Sequence, residues 1–170
     1  MNYKWIGALL VVVGCGGFGF SLASSYRKEE SMLRQILSVL DFMECQLQYQ
    51  LTPLPELCRM AGRGSSGTIR DILIFCAQEL EQQISPDAYS CMICAVAKAA
   101  PITYSVRQVF AELGKTLGRF DLSGQLKGLD GVRTLCNNKL RELESNRDVR
   151  LRGYQTLGLC AGAALAILFA

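Results

Sequence analysis

Apolar residues recur every three or four positions through most of the chain, the pattern of amphipathic α-helices. In the first such stretch, residues 28–49, the stripe consists of Leu33, Ile36, Leu37, Leu40, Met43 and Leu47. Similar stripes predict further helices over 55–62, 69–84, 85–99, 104–117 and 122–143. No segment alternates with the period of two that marks a half-buried strand. The pattern predicts an all-α protein, built as an antiparallel bundle of about six helices.

Local signals predict where these helices begin and end. Pro53 ends the first helix because proline cannot donate the next backbone hydrogen bond. Ser85-Pro86-Asp87 combines a cap, an N1 proline and a first-turn acid, so it predicts the start of the fourth helix. Gly118 suits the left-handed residue that follows the fifth helix. Asp121 is predicted to cap the sixth helix, whose inward positions are Leu122, Leu126, Leu129, Val132, Cys136, Leu140 and Leu143.

Two stretches at the ends of the chain, 5–26 and 153–170, contain no charged residue. As helices they would be about 33 Å and about 27 Å long, against a hydrocarbon core of about 30 Å. We therefore predict two transmembrane helices. They leave a short N-terminal tail, 1–4, and a domain between them, 27–152. Gly158 and Gly162 in the second stretch have the small-residue spacing of closely packed membrane helices.

Basic residues flank both apolar stretches on the side of the central domain. They are Arg27 and Lys28 after the first stretch, and Arg147, Arg150 and Arg152 before the second. On the other side of these stretches Lys4 is the one basic residue. The positive-inside rule therefore predicts that the central domain is cytoplasmic and that both termini lie across the membrane. The same basic side chains are expected to contact anionic membrane lipids.

The first apolar stretch has three further interpretations. Val12-Val13-Gly14-Cys15 faintly resembles a lipoprotein processing site, but the residues after Cys15 stay apolar where a lipoprotein would become polar. Ser21-Leu22-Ala23 is compatible with a signal-peptide cleavage site, although the apolar run is longer than usual. Residues 14–19 fit the G-x-G-x-x-G pattern of dinucleotide-binding proteins. That pattern requires a neighbouring parallel strand and an amphipathic helix, and neither follows here. Close helix packing is the favoured role of these glycines.

Composition narrows the possible functions. The net charge of +3 is too small to indicate nucleic-acid binding. Histidine is absent, which excludes Ser-His and Cys-His catalytic pairs and metal sites that need histidine. The acidic pairs Asp41 with Glu44 and Glu79 with Glu81 lie among basic residues, and we interpret them as solvated charges. No catalytic residue, metal site or cofactor is predicted.

Cys91 and Cys94 are the one pair of residues in the chain whose spacing suggests chemical reactivity, because they form a CxxC motif. A CxxC pair can lower a thiol pKa or supply half of a zinc site. The other two zinc ligands are missing, and residues three apart on a helix share one face, where cysteine packs as a small apolar residue. Core packing is the favoured interpretation, and a membrane-bound thiol redox protein is the alternative.

Three blocks of sequence carry a resemblance to a known family. They are Glu44, Leu47, Tyr49 and Thr52-Pro53-Leu54; then Leu117-Gly118, Asp121, Gln125 and Lys127; and finally Leu157-Gly158, Gly162 and Ile167-Leu168. With their order and spacing, the chain resembles the stage III sporulation protein AB family of endospore-forming bacteria over nearly its whole length. The eight cysteines and the glycine-rich first apolar stretch are not family features.

The resemblance implies a structural function and no enzymatic activity. The family looks like the cytoplasmic domain of the platform protein of type II secretion and type IV pilus systems. It implies a membrane-anchored component of the channel between mother cell and forespore, with its domain on the mother-cell side. Its partners would be other channel proteins, including a secretion-type ATPase, stage III sporulation protein AA. The sequence leaves the oligomeric state open.

The shared motifs supply candidates for partner binding. These are Tyr49, Thr52, Pro53, Leu54, Gly118, Asp121 and Gln125. The alternative is that the same residues only stop and cap helices, as the fold requires.

Overall fold

The structure is a computed structural model, and it describes residues 3–82, 87–118 and 121–169, with side chains for 25–82, 87–118 and 121–145. Over these residues the chain forms six α-helices and no strand, which confirms the all-α prediction. The helices are α1 (Tyr3–Gln50), α2 (Leu54–Arg63), α3 (Gly67–Gln82), α4 (Ala88–Lys98), α5 (Tyr104–Thr116) and α6 (Leu122–Phe169).

In the described part of the chain, no helix combines the length and the apolar character needed to cross a membrane. The predicted transmembrane segments, 5–26 and 153–170, lie outside the described side chains except at residues 25 and 26. These segments, and the domain limits drawn from them, stay a prediction.

The chain divides into two compact units. One consists of Met1–Glu30 and Arg141–Ala170, and its described backbone is helical. The other, Ser31–Leu140, is called the bundle below. All side-chain interactions that follow lie in the bundle.

The apolar stripes predicted from the sequence form the core of the bundle. Of the six stripe positions in α1, five are buried and Leu37 is half-buried. The largest fully buried side chains include Phe110, Leu33, Ile36, Leu40, Met43, Leu57, Ile69, Ile72 and Leu73. The prediction was wrong at Leu122, which is 38% exposed although the stripe placed it inward.

Contacts between helices show that neighbours run antiparallel. Cys136 donates a hydrogen bond of 3.3 Å from its Sγ to the carbonyl oxygen of Leu33. Arg133, which precedes Cys136 in α6, binds the carboxylates of two residues that follow Leu33 in α1, Asp41 at 2.6 Å and Glu44 at 2.5 Å. Because the order of contacts is reversed between the two helices, α1 and α6 run in opposite directions within the bundle.

Helices α2 and α3 show the same reversal. Gly62, near the end of α2, lies against Ile74, so that a β-carbon on this glycine would be 2.9 Å from Ile74 Cδ1. Arg59, one turn earlier in α2, forms an ion pair with Glu81 near the end of α3. The second glutamate bound by this arginine, Glu56 at 2.7 Å, lies in the first turn of α2.

Two predicted helix ends are confirmed and one is corrected. Asp121 caps α6, because its Oδ1 accepts from the backbone N–H of Gly124 at 3.1 Å. Gly118 has a φ of +79°, the left-handed conformation predicted for it. Asp87 is the N-cap of α4 and accepts from Ser90 N–H at 3.0 Å, so it is not the first-turn acid that was predicted. The predicted cap and proline, 85 and 86, lie outside the described residues.

Candidate functional site

Two of the three sequence blocks, far apart along the chain, meet at one end of the bundle. Here α1 ends and α6 begins, and since these helices are antiparallel, the residues after α1 lie beside the first turns of α6. A groove of about 230 Å³ lies between them, called the end groove below. Its lining consists of Leu47, Leu51, Thr52, Leu54, Leu122 and Gln125.

The turn before α6 also packs against the segment that follows α1. A β-carbon placed on Gly118 would lie 3.4 Å from Leu54 Cδ2 and 3.6 Å from the Cβ of Ala88. The left-handed backbone of Gly118 turns the chain from α5 toward α6, where Asp121 caps the new helix. Gly118 and Asp121 therefore shape one side of this end of the bundle without lining the groove.

Apolar side chains are unusually exposed around the end groove. Tyr49 is 80% exposed, Leu51 68% and Leu122 38%. Among the described residues, Tyr104 is the one other large apolar side chain with comparable exposure. Scattered exposed apolar residues are normal on a protein surface, but a cluster of them commonly marks an interaction site.

Leu51 combines exposure with an unfavourable backbone conformation. Its φ of 49° is the one positive value at a non-glycine residue in the described part of the chain. For an ordinary L-residue this left-handed conformation costs about 1–2 kcal/mol. Nearby, the Thr52 hydroxyl donates to Gln46 Oε1 at 3.2 Å, which ties the loop back onto α1. Backbone strain of this kind tends to occur at functional sites.

The structure places the seven partner-binding candidates in different roles. Thr52, Leu54 and Gln125 line the groove, and Tyr49, in the last turn of α1, is 80% exposed. Pro53 is exposed and precedes the first residue of α2. Sequence patterns missed the involvement of Leu51 and Leu122. The signal for both was an apolar residue immediately beside a helix-end signal, at positions where polar residues are usual.

The end groove carries no formal charge in its lining. The nearest carboxylate in sequence, that of Asp121, is occupied by its own helix: besides the Gly124 N–H it accepts the Ser123 hydroxyl at 3.0 Å. No group of three or more acidic or cysteine residues that could hold a metal ion occurs among the described residues. The lining therefore consists of apolar side chains and two neutral polar residues, Thr52 and Gln125.

The predicted solvated carboxylates are in fact ion-paired. Glu79 is only 5% exposed and binds the ammonium group of Lys98, which connects α3 to α4. This hydrogen bond raises the pKa of Lys98 above its usual value. Asp41 and Glu44 share the Arg133 guanidinium, whose pKa is raised chiefly by the hydrogen bond to Glu44. These carboxylates hold helices together, and the interpretation of Glu79 as solvated was wrong.

Four of the six cysteines of the bundle are buried, Cys94 is half-buried and Cys45 is exposed. Cys91 is 1% exposed, and Cys94 is half-buried on the same face of α4. Hydrogen bonding to Cys58, together with burial, raises the pKa of the Cys76 thiol. Burial raises the pKa of Cys136 to about 11. Reactive cysteines have lowered pKa values and solvent access.

The structure describes only some of the residues that the sequence predicts to act at the membrane. Arg27 and Lys28 are exposed. Arg147, Arg150, Arg152, Gly158 and Gly162 lie beyond the described side chains. Their roles at the membrane stay predictions.

These features define an all-helical bundle protein with an uncharged groove at one end. A family model, described as stage III sporulation protein AB, matches residues 4–170. The chain belongs to this family. Membership supports a role in sporulation and agrees with the resemblance found in the sequence.

Two relatives extend this comparison. The chain is 22% identical over 167 residues to stage III sporulation protein AB of Bacillus subtilis (strain 168), covering 97% of this chain and 98% of the relative. A solved structure of a stage III sporulation protein AB superimposes with a TM-score of 0.63 at 18% identity. It covers 72% of this chain and 98% of that one, and at this identity it shows a shared fold.

Proposed function

We propose that the chain is a membrane-anchored structural component of the channel between mother cell and forespore. Its apolar ends would anchor it in the membrane, with residues 27–152 in the cytoplasm of the mother cell. The uncharged stretches and their basic flanks support this topology. The bundle would then be a platform for other channel proteins, including the stage III sporulation protein AA ATPase.

One observation supports the platform role: two of the blocks that carry the family resemblance come together at one uncharged groove. Helix stops and caps alone do not require Tyr49, Leu51 and Leu122 to be exposed, because polar residues end helices equally well. An exposed apolar cluster costs solubility, which a partner-binding function offsets. The end groove is accordingly proposed as a contact surface of the platform.

A substitution in the groove lining tests this proposal. Gln125→Ala is expected to lower the yield of heat-resistant spores at least about tenfold when the variant replaces the native protein, with its membrane level unchanged. The matched control is Gln78→Ala, because Gln78 is an exposed glutamine of α3 that does not line the groove. Equal spore yields for the two variants would contradict a contact role for the groove.

Asp121→Ala separates contact from capping. Loss of the cap is expected to destabilise the chain by about 1 kcal/mol, since the Gly124 N–H loses its acceptor. If stability falls and spore yield follows only the protein level, Asp121 serves the fold. If spores are lost at full protein level, the turn itself takes part in contact.

The ATPase partnership has its own experiment. Chemical cross-linking in sporulating cells, followed by purification of the full chain from the membrane, is expected to recover the stage III sporulation protein AA ATPase. Its recovery should fall in the Gln125→Ala variant and persist in Gln78→Ala. Recovery of other channel proteins without the ATPase would reject this partner and leave the channel role standing.

A further inference from the structure

We propose that Cys58 of α2 and Cys76 of α3 form a redox-sensitive pair, which hydrogen peroxide converts into a disulfide that links the two helices. This inference goes beyond the proposed function and does not depend on any partner of the end groove. Both cysteines are free thiols, and they are 0% and 1% exposed. They lie on neighbouring helices, whereas the CxxC pair, Cys91 and Cys94, lies on one helix.

The register of α2 against α3 places the two cysteines at the same part of the interface. Near the end of α2, a β-carbon on Gly62 would lie 3.3 Å from the Cβ of Leu73, so the two backbones approach closely there. Cys58 precedes Gly62 by about one turn of α2, and Cys76 follows Leu73 by about one turn of α3. Because the helices are antiparallel, these two steps lead in the same direction along the interface, and they bring Cys58 opposite Cys76.

The two thiols also contact each other. Cys76 is hydrogen-bonded to Cys58, and this contact is the chief reason why the pKa of the Cys76 thiol is raised above its ordinary value. A raised pKa means that Cys76 keeps its proton and donates it toward the Cys58 sulfur. Cys58 therefore supplies the attacking sulfur, since a thiol that keeps its proton is a poor nucleophile.

The oxidation consumes one hydrogen peroxide and balances in two steps. The Cys58 sulfur attacks a peroxide oxygen, the O–O bond breaks, and Cys58 becomes a sulfenic acid as one water leaves. The Cys76 sulfur then attacks the Cys58 sulfur, the S–O bond breaks, and a second water leaves with the proton of the Cys76 thiol. Two thiols are oxidised to one disulfide, and the peroxide is reduced to two waters.

Burial determines how this pair responds to an oxidant. In the closed bundle neither thiol meets solvent, so peroxide reaches Cys58 only when α2 opens locally from α3. Closure then brings Cys76 onto the sulfenic acid ahead of any more distant thiol. We therefore expect an oxidation that is slow but selective for this pair. In cytoplasmic proteins, where the chain is proposed to place its bundle, disulfides are usually transient and redox-sensing.

Oxidation of the full chain, purified in a mild detergent, provides the test. After removal of reductant the native protein is treated with hydrogen peroxide, the remaining free thiols are blocked, and peptide mass spectrometry identifies the linked cysteines. The main link is expected to join Cys58 to Cys76. Because this disulfide restricts the unfolded chain, the Tm followed by circular dichroism should rise by several degrees and return to its initial value with dithiothreitol.

Serine variants separate this pair from general thiol oxidation. Cys58→Ser and Cys76→Ser each remove one partner, so peroxide should no longer raise the Tm of either variant. The matched controls are Cys45→Ser, which removes the exposed cysteine of the bundle, and Cys136→Ser, which removes another buried one. Both controls should form the disulfide between Cys58 and Cys76 and gain stability as the native chain does.

Three results would overturn the inference. They are a treated native chain in which Cys58 and Cys76 stay unlinked, a main link that joins other cysteines, and a disulfide between Cys58 and Cys76 that fails to raise the Tm. All three are read from the native chain, so they decide the matter even where a serine variant does not fold. Spore formation by Gln125→Ala tests the end groove alone, which keeps failure of the platform role distinct from failure of this inference.

Discussion

Gly128 of α6 and Thr116 of α5 approach so closely that a β-carbon on Gly128 would lie 2.1 Å from Thr116 Cγ2. Real atoms cannot remain at this distance, so Gly128→Ala must push the two helices apart or displace the threonine. We expect a loss of about 1–3 kcal/mol in the free energy of unfolding. Thermal unfolding of the full chain in detergent, followed by circular dichroism, would measure it as a drop of several degrees in Tm.

The same clash predicts a rescue. Thr116→Ser removes the Cγ2 atom and keeps the hydroxyl that donates to the Glu112 carbonyl at 3.1 Å. The double variant Gly128→Ala, Thr116→Ser should therefore recover much of the stability lost by Gly128→Ala alone. Simple addition of the two single effects would show that the close approach is not the cause.

Gly118 and Gly131 should respond oppositely to the same substitution. Gly118 has a φ of +79°, so Gly118→Ala places a β-carbon in the left-handed conformation and is expected to cost about 1 kcal/mol. Gly131 lies within α6 with no atom within 4 Å of a β-carbon built on it. Gly131→Ala is expected to stabilise by about 1 kcal/mol because alanine favours helix. Denaturation by urea would compare them, and equal shifts would contradict the backbone argument.

The buried thiol of Cys136 should make the stability of the folded protein depend on pH in the alkaline range. Its folded-state pKa is about 11, above the ordinary value of 9.0, because the folded protein buries the neutral thiol. The free energy of unfolding therefore keeps its full value below about pH 9 and falls as pH rises toward 11, because the thiol of the unfolded chain ionises first. Under reducing conditions, Cys136→Ala should flatten the fall in the urea midpoint between pH 9 and pH 11. An unchanged slope would exclude Cys136 as its source.

Cys91 and Cys94 offer a test of the thiol alternative. The double variant Cys91→Ala, Cys94→Ala is expected to support spore formation at the native level wherever the protein accumulates normally. Burial of Cys91 leads to a second expectation, a loss of about 1–2 kcal/mol in stability from its small cavity. Loss of spores at full protein level would favour redox chemistry at this pair.

The local features of this protein can be derived from its amino-acid sequence alone. The stripe of α1, the Asp121 cap and the left-handed Gly118 follow from interactions within a few residues of the backbone. Such interactions depend on side-chain shape and hydrogen-bonding chemistry that the sequence states directly. The family blocks were also visible in the sequence, although their meeting place was not.

Tertiary structure decided which distant groups meet. Glu79 looked like a solvated charge because its partner, Lys98, lies on the next helix, and only packing brings them together. The left-handed Leu51 departs from the local preference for glycine, so no sequence rule predicts it. The end groove exists because α1 and α6 run antiparallel and bring Thr52 beside Gln125. These relationships depend on how the helices pack against each other. The hydrophobic pattern of one helix does not specify which residues of another helix it will contact.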